Sequence, residues 1–107
     1  MSGSRVSVGD LTLDPRTFEI ATSAISVLLT PVEFELMNFL MASPGRVYST
    51  DQLLQQVWGY PAGTGMPDLV RVHIKNIRDK IEPEPSDPIY LRNSLRRGYY
   101  VDPASGV

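Results

Sequence analysis

Between Pro67 and Pro83 the chain reads PDLVRVHIKNIRDKIEP, and within it Val70, Ile74, Ile77 and Ile81 recur at spacings of four, three and four. At about 100° per residue these side chains share a stripe only about 60° wide, which predicts an amphipathic helix over residues 68–81 with one narrow buried face. The same arithmetic puts Asp68, Val72, Lys75, Asn76 and Asp79 on the opposite side, Arg71 and Arg78 along one flank and Leu69 along the other. Pro67 pre-sets the first turn, and Pro83 and Pro85, interleaved with Glu82 and Glu84, end the helix. Such a helix requires a core to receive its stripe and presents a polar, partly cationic face outward.

Two further helices are announced by their caps. Thr30-Pro31-Val32-Glu33 combines an N-cap threonine, proline at the first helical position and a glutamate that completes a capping box. Val32, Leu36, Phe39 and Leu40 are read as its inward stripe, and Ser43-Pro44-Gly45 stops it. Ser49 with Gln52 repeats the capping box and starts a helix over residues 50–58, with Leu53, Leu54 and Val57 facing inward. Residues 46–48 form a short extended connector between them, and residues 59–65 are a loop by composition.

The flanks have strand character. Residues 5–8, 11–14, 17–21 and 25–28 are short extended runs separated by Gly9-Asp10, Asp14-Pro15 and Thr22-Ser23, which suit the turns of a small antiparallel sheet. At the other end, residues 90–95 and 99–101 are predicted to pair as a hairpin around a basic turn, Arg96-Arg97-Gly98. The fold class is therefore α+β: a four-stranded N-terminal sheet, three helices and a C-terminal hairpin, together a winged helix-turn-helix.

With 107 residues and 42% hydrophobic content, the chain supports one domain, assigned to residues 5–102. Residues 1–4 are set aside as a flexible N-terminus, native or left from a vector, and 103–107 as a C-terminal tail. The absence of cysteine excludes disulfides and thiolate metal sites, and the single His73 cannot build a multi-histidine site, so neither cofactor nor metal is expected. No apolar run reaches the roughly 20 residues of a membrane span, and the chain reads as soluble and cytoplasmic. A net charge of −2 weighs against binding to nucleic acid, but the charge is unevenly distributed. Residues 1–70 hold three basic and seven acidic side chains (−4), residues 71–97 seven basic and four acidic (+3). A basic face on an acidic body is the expectation. A B-DNA major groove admits one α-helix, whose free face reaches base edges while flanking cations meet phosphates.

Three blocks, LTPVEFELMNFLMASPGRVYSTDQLLQQVWG, VRVHIKNIRDKIEP and RRGYYV, resemble in order and spacing the signatures of the OmpR/PhoB family effector domain, over about residues 5 to 102. The resemblance implies sequence-specific binding to double-stranded DNA in bacterial two-component transcriptional regulation. Leu69, Arg71, Val72 and Asn76 would face bases. Trp58, His73, Lys75 and Arg78 would touch the DNA backbone, as would Arg46 and Ser49 from the connector and second cap. In the wing, Arg96, Arg97 and Tyr99 would reach backbone or minor groove. The loop of Gly59, Tyr60, Pro61, Gly63, Thr64 and Gly65 occupies the place where relatives contact RNA polymerase. The resemblance also implies an N-terminal receiver domain outside this chain, whose phosphorylation promotes pairing on direct-repeat sites, and an isolated effector that is monomeric.

Two positions depart from the family pattern. Asn76 replaces a frequent basic residue, and asparagine suits adenine where arginine suits guanine. Leu95-Arg96 stands where relatives have arginine-glycine, so a minor-groove contact is either shifted to Arg96 or lost. Asp68 and Asp79 on the outward face could select a cytosine amino group, reject wrong sites or lie outside the contact. Lys75 with Asp79 at i, i+4 also fits an ordinary solvated salt bridge. Nothing resembles a catalytic constellation, and Gly63-Thr64-Gly65 lacks the lysine of a phosphate loop. The competing reading is a winged helix that docks proteins, RNA polymerase among them, without reading DNA itself; the acidic balance supports it.

Overall fold

The computed structural model describes residues 5–104, so the expectations for residues 1–4 and for most of the tail lie outside the described residues. The N-terminal strands β1 (Val6–Val8), β2 (Leu11–Asp14), β3 (Glu19–Ala21) and β4 (Ser26–Leu28) pair antiparallel in sequence order. Their register aligns Val6 with Leu13, Leu13 with Ile20 and Ile20 with Val27. Cross-strand partners point to the same side, so this row forms the sheet's burying face, with Leu13 and Ile20 fully buried. β3 begins two residues later than expected because Phe18 takes φ +63°, which breaks the extended run and lets its ring stack on Phe34 at 4.3 Å.

Helix α1 (Pro31–Met41) lies against this sheet and starts at the predicted capping box, with Thr30 accepting from the Glu33 amide and Glu33 from the Thr30 amide. Its inward stripe differs from the expected one. Val32 is exposed and Phe39 only half-buried, whereas Glu33, Phe34, Leu36, Met37, Leu40 and Met41 are buried. The apolar run of α1 nearly encircles it, so spacing alone could not choose the face. The contact with the sheet on one side and with α3 on the other chooses it.

Helix α2 (Thr50–Gln56) begins at the second predicted capping box and ends at Val57, before the expected residue 58. Leu53 and Leu54 are fully buried, while Val57 is half-buried at the helix end. Helix α3 (Pro67–Ile81) buries Val70, Ile74, Ile77 and Ile81, the predicted stripe, against α1 and α2. Each such side chain contributes about 1.5–3 kcal/mol of transfer free energy.

Lys80 adds a polar tie from α3 to α1. Its Nζ donates to Glu33 Oε1 at 2.6 Å and to the Leu28 carbonyl at 3.3 Å. Burial pushes the Glu33 carboxyl up, but the Lys80 ammonium and the Thr30 amide outweigh it and hold the group below the usual carboxylate range.

The C-terminal hairpin pairs β5 (Leu91–Ser94) with β6 (Gly98–Val101), and its turn is Leu95-Arg96-Arg97, one residue earlier than expected. Gly98 belongs to the strand because the backbone there meets the connector. Tyr48 and Tyr99 exchange both amide hydrogen bonds, at 3.0 and 2.9 Å, and a Cβ on Gly98 would lie 1.9 Å from the Tyr48 carbonyl oxygen. The Glu82 carboxylate, buried at the end of α3, accepts from the amides of Ile89, Tyr90 and Leu91 and so fixes where the hairpin begins. Tyr90 in turn donates its hydroxyl to Asp10 at 2.9 Å, joining hairpin and N-terminal sheet. The molecule is thus a winged helix-turn-helix with an N-terminal antiparallel sheet.

Two stability predictions follow from these ties. Lys80→Ala should cost about 2 kcal/mol in urea denaturation at neutral pH, because it leaves a buried carboxylate short of its cation. Glu33 has a folded-state pKa below its unfolded one, so the pair acts in full above about pH 5 and is lost as pH falls through the lowered value. The difference between Lys80→Ala and wild type should therefore close on acidification; an unchanged difference at about pH 3 would assign it to packing of the lysine stem. Gly98→Ala should cost about 3 kcal/mol in thermal melts, from the clash with Tyr48 and the φ of +143°. Gly63→Ala, also at positive φ but with open space around it, should cost only about 1 kcal/mol.

Candidate nucleic-acid interface

Because the stripe of α3 is buried, the opposite face is necessarily outside. Asp68, Arg71, Val72, Lys75, Asn76 and Asp79 are all exposed, and Val72 retains 53% of its accessible surface. Leu69, expected among the base-facing residues, is half-buried and packs on the core, leaving Arg71, Val72 and Asn76 as the fully outward members of that set. The cations on this face are paired within their own helix. Arg71 Nη1 donates to Asp68 Oδ1 at 2.9 Å, and Lys75 Nζ to Asp79 Oδ2 at 2.8 Å.

An open cleft runs between this helix, the start of α2 and the wing. Ser49, Arg71, Arg96, Arg97 and Tyr99, named from the sequence, line it, together with Gly98 and three polar residues that sequence reasoning missed: Thr50, Asn93 and Ser94. No local signal could have found Asn93 and Ser94, since they lie on a strand whose position is set by the contact of Tyr99 with Tyr48. Three guanidinium groups around one cleft, with hydroxyl and amide donors between them, suit a phosphate-bearing ligand. The exposed Leu95 stands at the wing tip beside Arg96 and Arg97, with 82% of its surface accessible.

The remaining sequence-predicted residues lie around this centre. Arg78 is half-buried. Its Nε donates to the Leu91 carbonyl at 2.9 Å, its Nη2 to Asn93 Oδ1 at 3.3 Å, and its guanidinium lies 5.7 Å from the centre of the Tyr99 ring. Burial lowers its pKa from the ordinary arginine value, and the neighbouring Tyr99 and Glu82 oppose that shift. Arg78 is therefore engaged in holding the wing against α3, with Tyr99 as its platform. Trp58 and His73 meet edge-on at 5.3 Å on the other flank of α3, away from the cleft. His73 Nδ1 lies 2.7 Å from the Leu69 carbonyl, an acceptor only, so Nδ1 carries the hydrogen and Nε2 of the neutral ring is an acceptor. A phosphate contact through Nε2 would require the imidazolium. Arg46 stacks its guanidinium 5.0 Å from the centre of the Tyr48 ring.

The basic block is thus divided. Lys80 is committed to Glu33 and Arg92 to Asp102 at 2.9 Å, so neither joins the cleft, while Arg71, Arg96 and Arg97 do. Residues 59–66 form an exposed loop returned toward α2, where the Gly63 amide donates to Asp51 Oδ1 at 3.4 Å and the Tyr60 amide to the Leu54 carbonyl. Among the described residues no group of His, Cys, Asp or Glu side chains could hold a metal ion, and no helix is long and apolar enough to cross a membrane.

Comparison with known proteins agrees with this architecture. Residues 24–101 match the family described as transcriptional regulatory protein, C terminal. The chain is 36% identical over 94 residues to the DNA-binding dual master transcriptional regulator RpaA of Synechocystis, an alignment covering 88% of this chain and 39% of that protein. It spans about two fifths of the length of the curated relatives it matches. Among solved structures, the RstA DNA-binding domain of Klebsiella pneumoniae in complex with the RstA box superposes with a TM-score of 0.80 at 26% identity, covering 94% of this chain and 98% of that one. DrrB of Thermotoga maritima, an OmpR/PhoB homologue, superposes with a TM-score of 0.78 at 31% identity, covering 92% of this chain and 44% of that one. With this fold, this arrangement of recognition helix and wing, and a family match across most of its length, the chain belongs to the C-terminal domain family of transcriptional regulatory proteins.

Proposed function

We propose that residues 5–102 form the DNA-binding effector domain of a response regulator, with α3 entering the major groove and the wing lying on the adjacent backbone or minor groove. The observation that carries this reading is the exposed outer face of α3 continuing into a cleft lined by Arg71, Arg96 and Arg97. Arg71, Val72 and Asn76 are the base-facing candidates, with Leu69 at their edge. Lys75, Ser49, Thr50 and the wing arginines meet phosphates, while Arg78 and Tyr99 serve the interface by positioning the wing. Trp58, His73 and Arg46 remain assigned to the phosphate-facing border. Similarity to RpaA and to the RstA domain bound to its DNA box supports the choice of ligand. No catalytic step is assigned.

The wider assembly is part of the same proposal. A receiver domain precedes this one in the full protein, its phosphorylation promotes pairing on direct repeats, and the complex acts in the cytoplasm. The exposed loop of residues 59–66 is the surface offered to RNA polymerase. Alone, the domain is monomeric and binds weakly, since it lacks the second module that would supply effective concentration.

A second reading, a protein-docking winged helix without DNA recognition, draws support from the net charge of −2 and from the self-paired cations Arg71 and Lys75. Selection of duplexes from a random pool separates the two. The DNA reading expects enrichment of one motif, with affinity falling about 0.9 logarithmic units per phosphate contact for each tenfold rise in salt. The docking reading expects no enrichment. Arg71→Ala combined with Lys75→Ala should abolish retention of the enriched duplex while the circular-dichroism melt is preserved; undiminished binding would remove α3 from the interface. Asn76→Ala should relax preference at one base pair by about tenfold, whereas equal loss on all sequences would make Asn76 a backbone contact.

A further inference from the structure

A carboxylate at the front of a groove-reading helix works against binding, because it repels the phosphates on either side. Asp68 is such a group, exposed in the first turn of α3 and joined to Arg71 at 2.9 Å across one helical turn. The two side chains are 76% and 60% exposed, so the pair adds little to stability. Its consequence is the place at which it holds the guanidinium. Arg71 stands between two destinations. It lines the cleft with Arg96 and Arg97, where it would clamp a phosphate, and it borders the N-terminal turn of α3, the part of a recognition helix that reaches base edges. Engagement with Asp68 keeps the guanidinium against that turn while it still lines the cleft.

We propose that Asp68 is a positioning residue that determines specificity: it holds Arg71 against the N-terminal turn of α3, beside the cleft, where its guanidinium can meet a base edge with two adjacent acceptors, as on guanine. The inference rests on the DNA-binding reading above. A guanidinium has five N–H donors, so the bond to Asp68 leaves donors for a bidentate pair with guanine O6 and N7. Fixing one end of a long side chain also reduces the rotamer freedom lost on binding. The same carboxylate weakens attachment to arbitrary sequence, so selectivity rises at the cost of affinity. An acid in the first turn also suits the helix dipole, but that role needs no partner and has no bearing on base choice.

The test compares wild type, Asp68→Asn, Arg71→Ala and the double variant on two duplexes, the one enriched by wild type from a random pool and a scrambled duplex of equal length. Circular-dichroism melts establish that each variant is folded. Asp68→Asn should tighten binding to the scrambled duplex and steepen the salt dependence by about one phosphate contact. It should lower the enriched-to-scrambled affinity ratio by about tenfold, concentrated at one base pair. In the Arg71→Ala background it should leave the ratio unchanged. An unchanged ratio for Asp68→Asn alone, or a loss of equal size without Arg71, overturns the inference and leaves DNA binding standing. A wild-type protein that does not prefer its enriched duplex overturns both.

Discussion

Burial of Val70, Ile74, Ile77 and Ile81 is the constraint on which the rest depends. Four β-branched side chains on so narrow a stripe leave α3 one rotational setting, because turning the helix by even one residue, about 100°, would expose isoleucines and bury charge. That setting decides what the outside can do. Arg71, Val72, Lys75 and Asn76 are outward because the core leaves them no other direction, and an exposed helical face of this width matches the opening of a major groove.

The wing is held by apolar and polar ties together. Leu91 and Val101 are fully buried in the core that receives the α3 stripe, and polar ties fix the hairpin's position upon it: the Glu82 carboxylate on three successive amides, the Arg78 guanidinium on the Leu91 carbonyl and Asn93, and the paired amides of Tyr48 and Tyr99. Each satisfies a backbone or charged group that would otherwise be buried at a cost. Gly98 permits the closest of these approaches, since no side chain fits between its backbone and Tyr48. The result places Arg96 and Arg97 opposite Arg71, and the three arginines form one surface although two of them are more than twenty residues from the third.

Local signals in the chain were strong where one residue acts on its own backbone. Both capping boxes, at Thr30–Glu33 and Ser49–Gln52, form as expected, and the Lys75–Asp79 pair, raised from the sequence as the alternative to a DNA contact, forms too, because all their partners lie within one turn. The inward face of α1 is not legible locally, because Val32, Phe34, Leu36, Met37, Phe39, Leu40 and Met41 offer several stripes. Glu33 reads as a cap, and its second role as the buried partner of Lys80 spans 47 residues. Glu82 sits in a run of glutamate and proline that resembles solvated loop, yet its carboxylate is among the most engaged in the molecule. Asn93 and Ser94 carry no local mark of belonging to the cleft.

The sequence by itself therefore determined the elements, their caps and the face of α3 that is buried, since periodicity and capping are settled over a few residues by backbone geometry. Through resemblance it also indicated the ligand class. Tertiary structure alone decided which cations share the cleft. Lys80 and Arg92 are drawn to carboxylates elsewhere and Arg78 to the wing, while Arg71, Arg96 and Arg97 meet around one cleft. The physical reason is that a charge takes its role from the partner nearest in space, and that partner is chosen by how the core brings distant segments together.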